Sequence, residues 1–316
     1  MKRLLNFQGA DFLNASPLEL KQAILASEGR VIVSESVVTF EPYVNGLTNA
    51  EIEKAFGADI LLLNVLDLDN PKIEGVPESE TNPIAWLKKA TSRPLGVNLE
   101  PVDENAPMTQ GKEEIAKGRK ATIENYKKAN DYDLDLICLT GNPATGVTNE
   151  TILKAIKEAK ENFNGLIIAG KMHAAGTDGP VMDLEIAKNF VHAGCDILLV
   201  PAPYTIPHFN ENDLRKIADY IRSYNKDKEI DRKVLIMSAI GTSQETADKD
   251  TIRQIALAAK ANGAHLQHIG DAMNGISLPE NIYTMGVAIR GVRWQIYQMS
   301  SSIIRNCLLY TSPSPR

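Results

Sequence analysis

Cysteine is scarce in this chain. The three residues, at 138, 195 and 307 of 316, have no Cys-x-x-Cys spacing and no even framework, which excludes a disulfide scaffold and a thiolate zinc site and suits a reducing compartment. Long apolar runs are missing too: the longest are about five residues against the ~20 a membrane helix needs. The opening Met1-Lys2-Arg3-Leu4-Leu5-Asn6 lacks the apolar core of a signal peptide, so no membrane is expected and the expected location is cytoplasmic. Basic charge is in deficit. With 34 Lys and Arg against 40 Asp and Glu the formal charge is -6, which repels polyanions and excludes nucleic acid as an expected partner. Glycine (21) and proline (16) are too few for a low-complexity chain, whereas 43% apolar residues over this length supply a large buried core.

The stretch Cys307-Leu308-Leu309-Tyr310-Thr311-Ser312-Pro313-Ser314-Pro315-Arg316 reads as the in-frame translation of a DNA-sequencing library adapter. It is set apart as a non-native tail, with the natural C-terminus expected beyond Asn306. What remains, 1–306, carries eight short runs rich in Val, Ile and Leu: Arg30 to Ser34, Asp59 to Asn64, Pro94 to Asn98, Asp135 to Thr140, Leu166 to Gly170, Asp196 to Val200, Val234 to Ser238 and His265 to Ile269. Each is continuous rather than alternating, as a strand buried on both faces must be.

Helical stretches lie between them: Asn49 to Phe56, Pro83 to Ala90, Lys112 to Ala129, Asn149 to Asn162, Asp183 to Ala193, Glu211 to Tyr224 and Lys249 to Asn262, with a last one from Glu280 to about Arg305. The strand spacing averages roughly 34 residues, the length of a βαβ unit. Phe56-Gly57-Ala58-Asp59, Ala193-Gly194-Cys195-Asp196 and Asn262-Gly263-Ala264-His265 reuse one joint, a glycine where a helix ends left-handed. No linker or composition shift divides the chain. The pattern predicts an α/β fold, a single (β/α)8 TIM barrel with the helix Pro17 to Ala26 capping its bottom.

In such a barrel the chemistry sits at the C-terminal ends of the strands. Lys171 and His173 end strand five two residues apart, so extended geometry aims both the same way; the lysine is a candidate base or Schiff-base former and the histidine a proton shuttle. Glu35, Asp67, Asp69 and Glu100 follow strands one to three and could hold Mg2+ or Mn2+, with Asp67 and Asp69 as the metal candidates and Glu35 and Glu100 orienting the Lys/His pair. Asn64, Asn98 and Asn142 end strands two to four and offer amide donors and acceptors to a substrate. Ser238, Gly241, Thr242 and Ser243 after strand seven, with Gly270 and Asp271 after strand eight, occupy the loops where barrels commonly hold phosphate. His268 faces either the pore or the helices. Cys138 and Cys195 read as core, Trp86 and Trp294 as packing, and His208 lies in a proline-rich loop that could serve as a lid.

Thr48-Asn49-Ala50-Glu51-Ile52, Gly96-Val97-Asn98-Leu99-Glu100-Pro101-Val102, Gly170-Lys171-Met172-His173, Pro201-Ala202-Pro203-Tyr204-Thr205 and Ile269-Gly270-Asp271-Ala272 together resemble a largely uncharacterised bacterial family, from about Lys2 to Arg305. Its members are often labelled haloacid dehalogenase-like hydrolases. The Asp-x-Asp-x-Thr/Val motif of those phosphatases is approximated by Asp67-Leu68-Asp69-Asn70-Pro71. There Pro71 replaces the hydroxyl or branched residue and the motif follows a second strand rather than a first, so the label is not adopted.

The chain is also similar to the phosphoenolpyruvate mutase and isocitrate lyase superfamily, barrels whose strand-end acids hold Mg2+ beside an enolate. Asp67, Asp69 and Glu100 have a similar layout, while the Lys-Lys-Cys-Gly-His loop of the lyases is absent. Three functions compete. The leading one is a lyase or isomerase that moves a proton next to a carbonyl of a small, phosphorylated metabolite. The second is Mg2+-assisted enolate or phosphoester chemistry, and the third a non-catalytic, metabolite-binding regulatory barrel. A small-molecule ligand is expected in each, and self-association is left open because many such barrels self-associate.

Overall fold

The computed structural model describes residues 2–109 and 111–305. Eight parallel strands close a barrel in chain order: β1 (Val31–Val37), β2 (Ile60–Asn64), β3 (Leu95–Leu99), β4 (Leu136–Leu139), β5 (Leu166–Gly170), β6 (Ile197–Pro201), β7 (Leu235–Ile240) and β8 (Leu266–Ile269), with β1 and β8 paired from Val31 to Leu266. All eight expected strands form, and the expected TIM barrel is the fold. Ahead of the strands come α1 (Gly9–Asn14) and α2 (Pro17–Leu25); between them lie α3 (Asn49–Ala55), α4 (Pro83–Thr91), α5 (Ile123–Asp131), α6 (Asn149–Asn162), α7 (Leu184–Ala193), α8 (Glu211–Asn225) and α9 (Lys249–Ala261), and α10 (Pro279–Met299) follows.

Two helices differ from expectation. The stretch from Lys112 is not helical until Ile123: it holds a single 3-10 turn at Lys117–Arg119, and Thr122, whose hydroxyl accepts from Asn125 N, starts α5 instead. The last helix is broken at Gly291, where φ is 74°. At the three reused joints Gly57, Gly194 and Gly263 have φ of 103°, 105° and 103°, a region that costs any residue with a Cβ.

Side-chain parity splits the core in two. One set, including Val31, Val33, Ile60, Leu62, Leu136, Cys138, Leu166, Ile168, Leu199, Met237 and Ala239, fills the barrel, and Leu4, Phe7, Phe12, Leu20 and Ile24 join it from below. The alternate set, including Ile32, Leu61, Leu63, Ile137, Ala169, Leu198 and Ile240, packs under the helices. The residue leading several strands also ties down its neighbour. Asp59, Asp135 and Asp196 accept from Ile32 N, Leu95 N and Ile167 N at 2.8, 2.9 and 3.0 Å. His265 Nδ1 does the same for Ile236 N at 3.0 Å, and burial, which pulls its pKa down to about 4, keeps that ring neutral and able to accept.

No helix among the described residues is long and apolar enough to cross a membrane. The adapter-like tail lies outside the described residues.

Candidate active site

The parity that fills the barrel with apolar side chains also decides what reaches its mouth. On β1 the inward series Val33 continues to Glu35, on β2 Leu62 continues to Asn64, on β3 Gly96 continues to Asn98, and on β8 Leu266 continues to His268. Polar groups therefore cap an apolar column. Above them is a cavity of about 560 Å³ lined by Glu35, Asn64, Asn98, Asn142, His173, Gly241, Thr242, Ser243, Glu245, Gly270 and Asp271, among others.

Glu35 is the floor. Its Oε1 accepts from Asn98 Nδ2 at 2.7 Å and its Oε2 lies 2.7 Å from His268 Nε2, with both Glu35 and His268 buried. His268 Nδ1 has no partner among the described residues, so the neutral tautomer with hydrogen on Nε2 suits the site, since an unpaired lone pair there costs less than an unpaired N–H. A second network crosses the mouth. Asn64 Nδ2 donates to Asp271 Oδ2 at 2.8 Å and to Asn142 Oδ1 at 2.9 Å, and Asn142 Nδ2 returns to Asn64 Oδ1 at 3.0 Å.

These surroundings separate the titrating groups. Burial, then the charge of Glu35, pushes the Asp271 carboxyl up to about 7 against the hydrogen bond from Asn64. Glu245 is also raised, again by burial. Burial lowers His173, and its Nδ1 accepts from Ala175 N at 3.0 Å, so at neutral pH it is an uncharged imidazole whose remaining N–H is a donor. The mouth thus holds a carboxylate fixed by two donors, a carboxyl that titrates near neutrality, and a neutral donor ring. That set can take a proton from one atom and return it to another.

The other expected residues are elsewhere. Lys171 does not share a cavity with His173. Ala169 packs outward and Met172 inward, so Lys171, which shares the outward parity of Ala169, lines a separate cavity with Glu150 and Asp178. The turn after β5 then swings His173 into the mouth. Glu100 does not line the mouth; it binds Arg119 Nη2 at 2.6 Å and accepts from Asn142 N and Nδ2 at 2.9 and 3.0 Å.

Asp67 Oδ1 accepts from Asp69 N at 2.9 Å, Asp69 pairs with Lys128, and neither reaches the mouth. Among the described residues no group of three His, Cys, Asp or Glu is placed to hold a metal ion, and the contacts of Asp67 and Asp69 are those of a turn and an ion pair. Ser238 alternates outward between Met237 and Ala239, and the Thr242 hydroxyl is 2.7 Å from both Thr205 O and Gln244 Oε1. Among the described residues no Lys or Arg lines the mouth. Ser243 does line the mouth, but an anion-holding role for these loops lacks a cation among the described residues. His268 and Glu245 were not among the expected site residues. Parity with Gly270 carried the signal for His268, whereas Glu245, in a 3-10 turn after β7 (Gln244–Thr246), had none.

Solved structures similar to this chain include 2,3-dimethylmalate lyase, a member of the PEP mutase/isocitrate lyase superfamily, at 12% identity with 81% of each chain covered and a TM-score of 0.49. Phosphonopyruvate hydrolase in complex with oxalate and Mg++ matches at 13% identity, covering 95% of this chain and 93% of that one, TM-score 0.46. Phosphoenolpyruvate phosphomutase from Streptomyces platensis subsp. rosaceus matches at 12% identity, with 80% of each chain and a TM-score of 0.45. No curated protein matches the sequence. Nothing found supports the haloacid dehalogenase-like label. A family profile matches residues 5–305, nearly the whole chain, and by that match the protein belongs to the family described as Domain of unknown function (DUF7916).

Proposed function

We propose that the barrel mouth is the active site of a lyase or isomerase that moves a proton next to the carbonyl of a small, uncharged, hydroxyl-rich metabolite. The observation that carries this reading is the pair Glu35 and Asp271, two carboxyl groups in one cavity whose surroundings set them to different tasks. Glu35, held by Asn98 and His268, is the base. Asp271, protonated below about 7, is the acid that returns the proton. The neutral His173 ring donates to the substrate carbonyl oxygen and polarises it, and the amides of Asn64, Asn98 and Asn142 orient the hydroxyls. His268 acts through Glu35 and is a positioning residue.

The charge of the site selects the substrate. Glu35 lines the cavity as the base, and among the described residues no Lys or Arg does, so a phosphate dianion meets like charge without a counter-charge in a partly desolvated site. This replaces the phosphorylated metabolite expected from the loop positions. A thermal-stability screen with aldoses, ketoses and their phosphates tests it. A ligand at 100 times its Kd adds about 2.7 kcal/mol, and we expect stabilisation by an uncharged member that is lost in Asn64→Ala. Stabilisation by the phosphorylated members alone would overturn the substrate class. Binding without turnover of any member would favour the regulatory barrel.

A further inference from the structure

Lys171 is left over from the mouth, and its surroundings are unusual for a lysine. The side chain is 2% exposed, and among the described residues Nζ has neither a hydrogen bond nor an ion pair within reach. It lies on the wall of a cavity of about 500 Å³ on the outer side of β5, between the N-termini of α6 and α7, whose rim at Asp178, Gly179 and Pro180 is open to solvent. Burial strips most of the water from an ammonium held there, and the positive ends of two helices disfavour it further. Burial accordingly lowers the Lys171 pKa, with Glu150 only partly opposing. In its neutral form an amine on the wall of an open cavity is a nucleophile.

The rest of the lining is rich in acceptors. Asp103, Glu150, Asp178 and Glu185 border the cavity, and Asn149 Oδ1 is buried without a partner. Such a rim repels anions and suits a molecule that brings hydroxyl or ammonium donors, while the amine needs an electrophile.

We propose that this cavity is a second site, in which Lys171 captures a small hydroxylated aldehyde or ketone as a Schiff base. The amine nitrogen forms a bond to the carbonyl carbon, both amine hydrogens pass to the carbonyl oxygen, and that oxygen leaves as water. Capture needs no metal, oxidant or residue of the mouth, and so stands or falls independently of the reading of Glu35 and Asp271.

The test is reductive trapping of the full chain with D-glyceraldehyde and cyanoborohydride at pH 7, followed by peptide mapping. A lowered pKa raises the neutral-amine fraction at this pH, and a cavity that binds the aldehyde concentrates it beside the amine. We expect Lys171 to be alkylated at least about ten-fold faster than the exposed Lys89 and Lys249, with a rate that saturates in glyceraldehyde. Lys171→Arg, checked for native circular dichroism, removes the saturable component and leaves the slow background. Labelling of Lys171 no faster than Lys89, or a linear rate, would overturn the proposal. So would protection of Lys171 by inorganic phosphate, because the cavity would then be an anion site.

Discussion

Glu35 and Asp271 show how neighbours divide labour between like groups. The first accepts two hydrogen bonds of 2.7 Å at the floor of the mouth cavity; the second accepts one from Asn64 and feels the charge of the first. If Asp271 is the acid, turnover declines as pH rises through about 7. We expect Asp271→Asn to lose that limb of the pH profile along with most of the rate, about 10² to 10⁴-fold. An unchanged high-pH limb in the variant would assign the titration to another group.

Buried carboxyls also leave a mark on stability. Glu53, fully buried on α3 and accepting from Ser34 Oγ at 2.8 Å and Ser36 Oγ at 3.2 Å, is pushed up to about 8 by burial. Between its unfolded value of 4.5 and about 8 the native protein holds a proton that the unfolded chain has released. Unfolding free energy therefore falls as pH rises through that window, by up to about 1.4 kcal/mol per pH unit for one such group, and levels off above it. Urea titrations at pH 5 to 9 should show this slope, and Glu53→Gln should flatten it. An equally steep slope in Glu53→Gln would show that the carboxyl is charged in the native state.

At the scale of elements, the exit of β5 decides where the site residues go. Gly170 ends the strand with φ of 153°, and a Cβ there would stand 2.0 Å from Leu199 O on β6. We expect Gly170→Ala to cost about 2 to 4 kcal/mol and to disturb both His173 and Lys171, measured by denaturant unfolding. A loss under about 0.5 kcal/mol would mean that the strands part easily there.

This exit is also where sequence reasoning stopped short. Continuous Val, Ile and Leu runs announced the strands because a strand covered on both faces has no polar side to show. Leu166–Gly170 and Asn149–Asn162 were legible to the residue. The same parity that would have sent Lys171 and His173 in one direction held only while the chain stayed extended, and the turn after Gly170 separated them. Lys112 to Ala129 looked helical by composition, yet Thr122 caps α5 later in the chain. Asp67 and Asp69 looked like ligands because carboxylates attract that reading wherever they pair, and only their partners, Asp69 N and Lys128, show a turn and an ion pair.

At the scale of the whole molecule, α10 locks the barrel at its bottom. Arg290 Nη1 binds Asp59 Oδ2 at 2.6 Å and its Nε donates to Gln295 Oε1 at 2.8 Å, while Arg93 donates to Ala58 O, Gln298 O and Ser301 Oγ at 2.9, 2.9 and 2.8 Å. Both side chains of the Arg290–Asp59 pair are fully buried. Removing one partner leaves the other charged without compensation, so Arg290→Met should destabilise by about 3 to 5 kcal/mol. A near-neutral result would show that Asp59 is satisfied by Ile32 N alone.

Such a closed frame keeps groups from β1, β2, β3 and β8 in register over the mouth, and the proton transfer assigned to it depends on that register. The measurement that bears on it most directly is proton exchange in D2O, followed by 1H NMR, on a panel of uncharged ketoses and hydroxy-ketones. It requires no knowledge of the product. With the wild-type protein we expect one member to lose its α-proton signal, and with Glu35→Gln the loss to slow by at least about 10²-fold while His268→Asn slows it less and shifts its pH dependence. Exchange that proceeds equally in Glu35→Gln would contradict the assignment of the base.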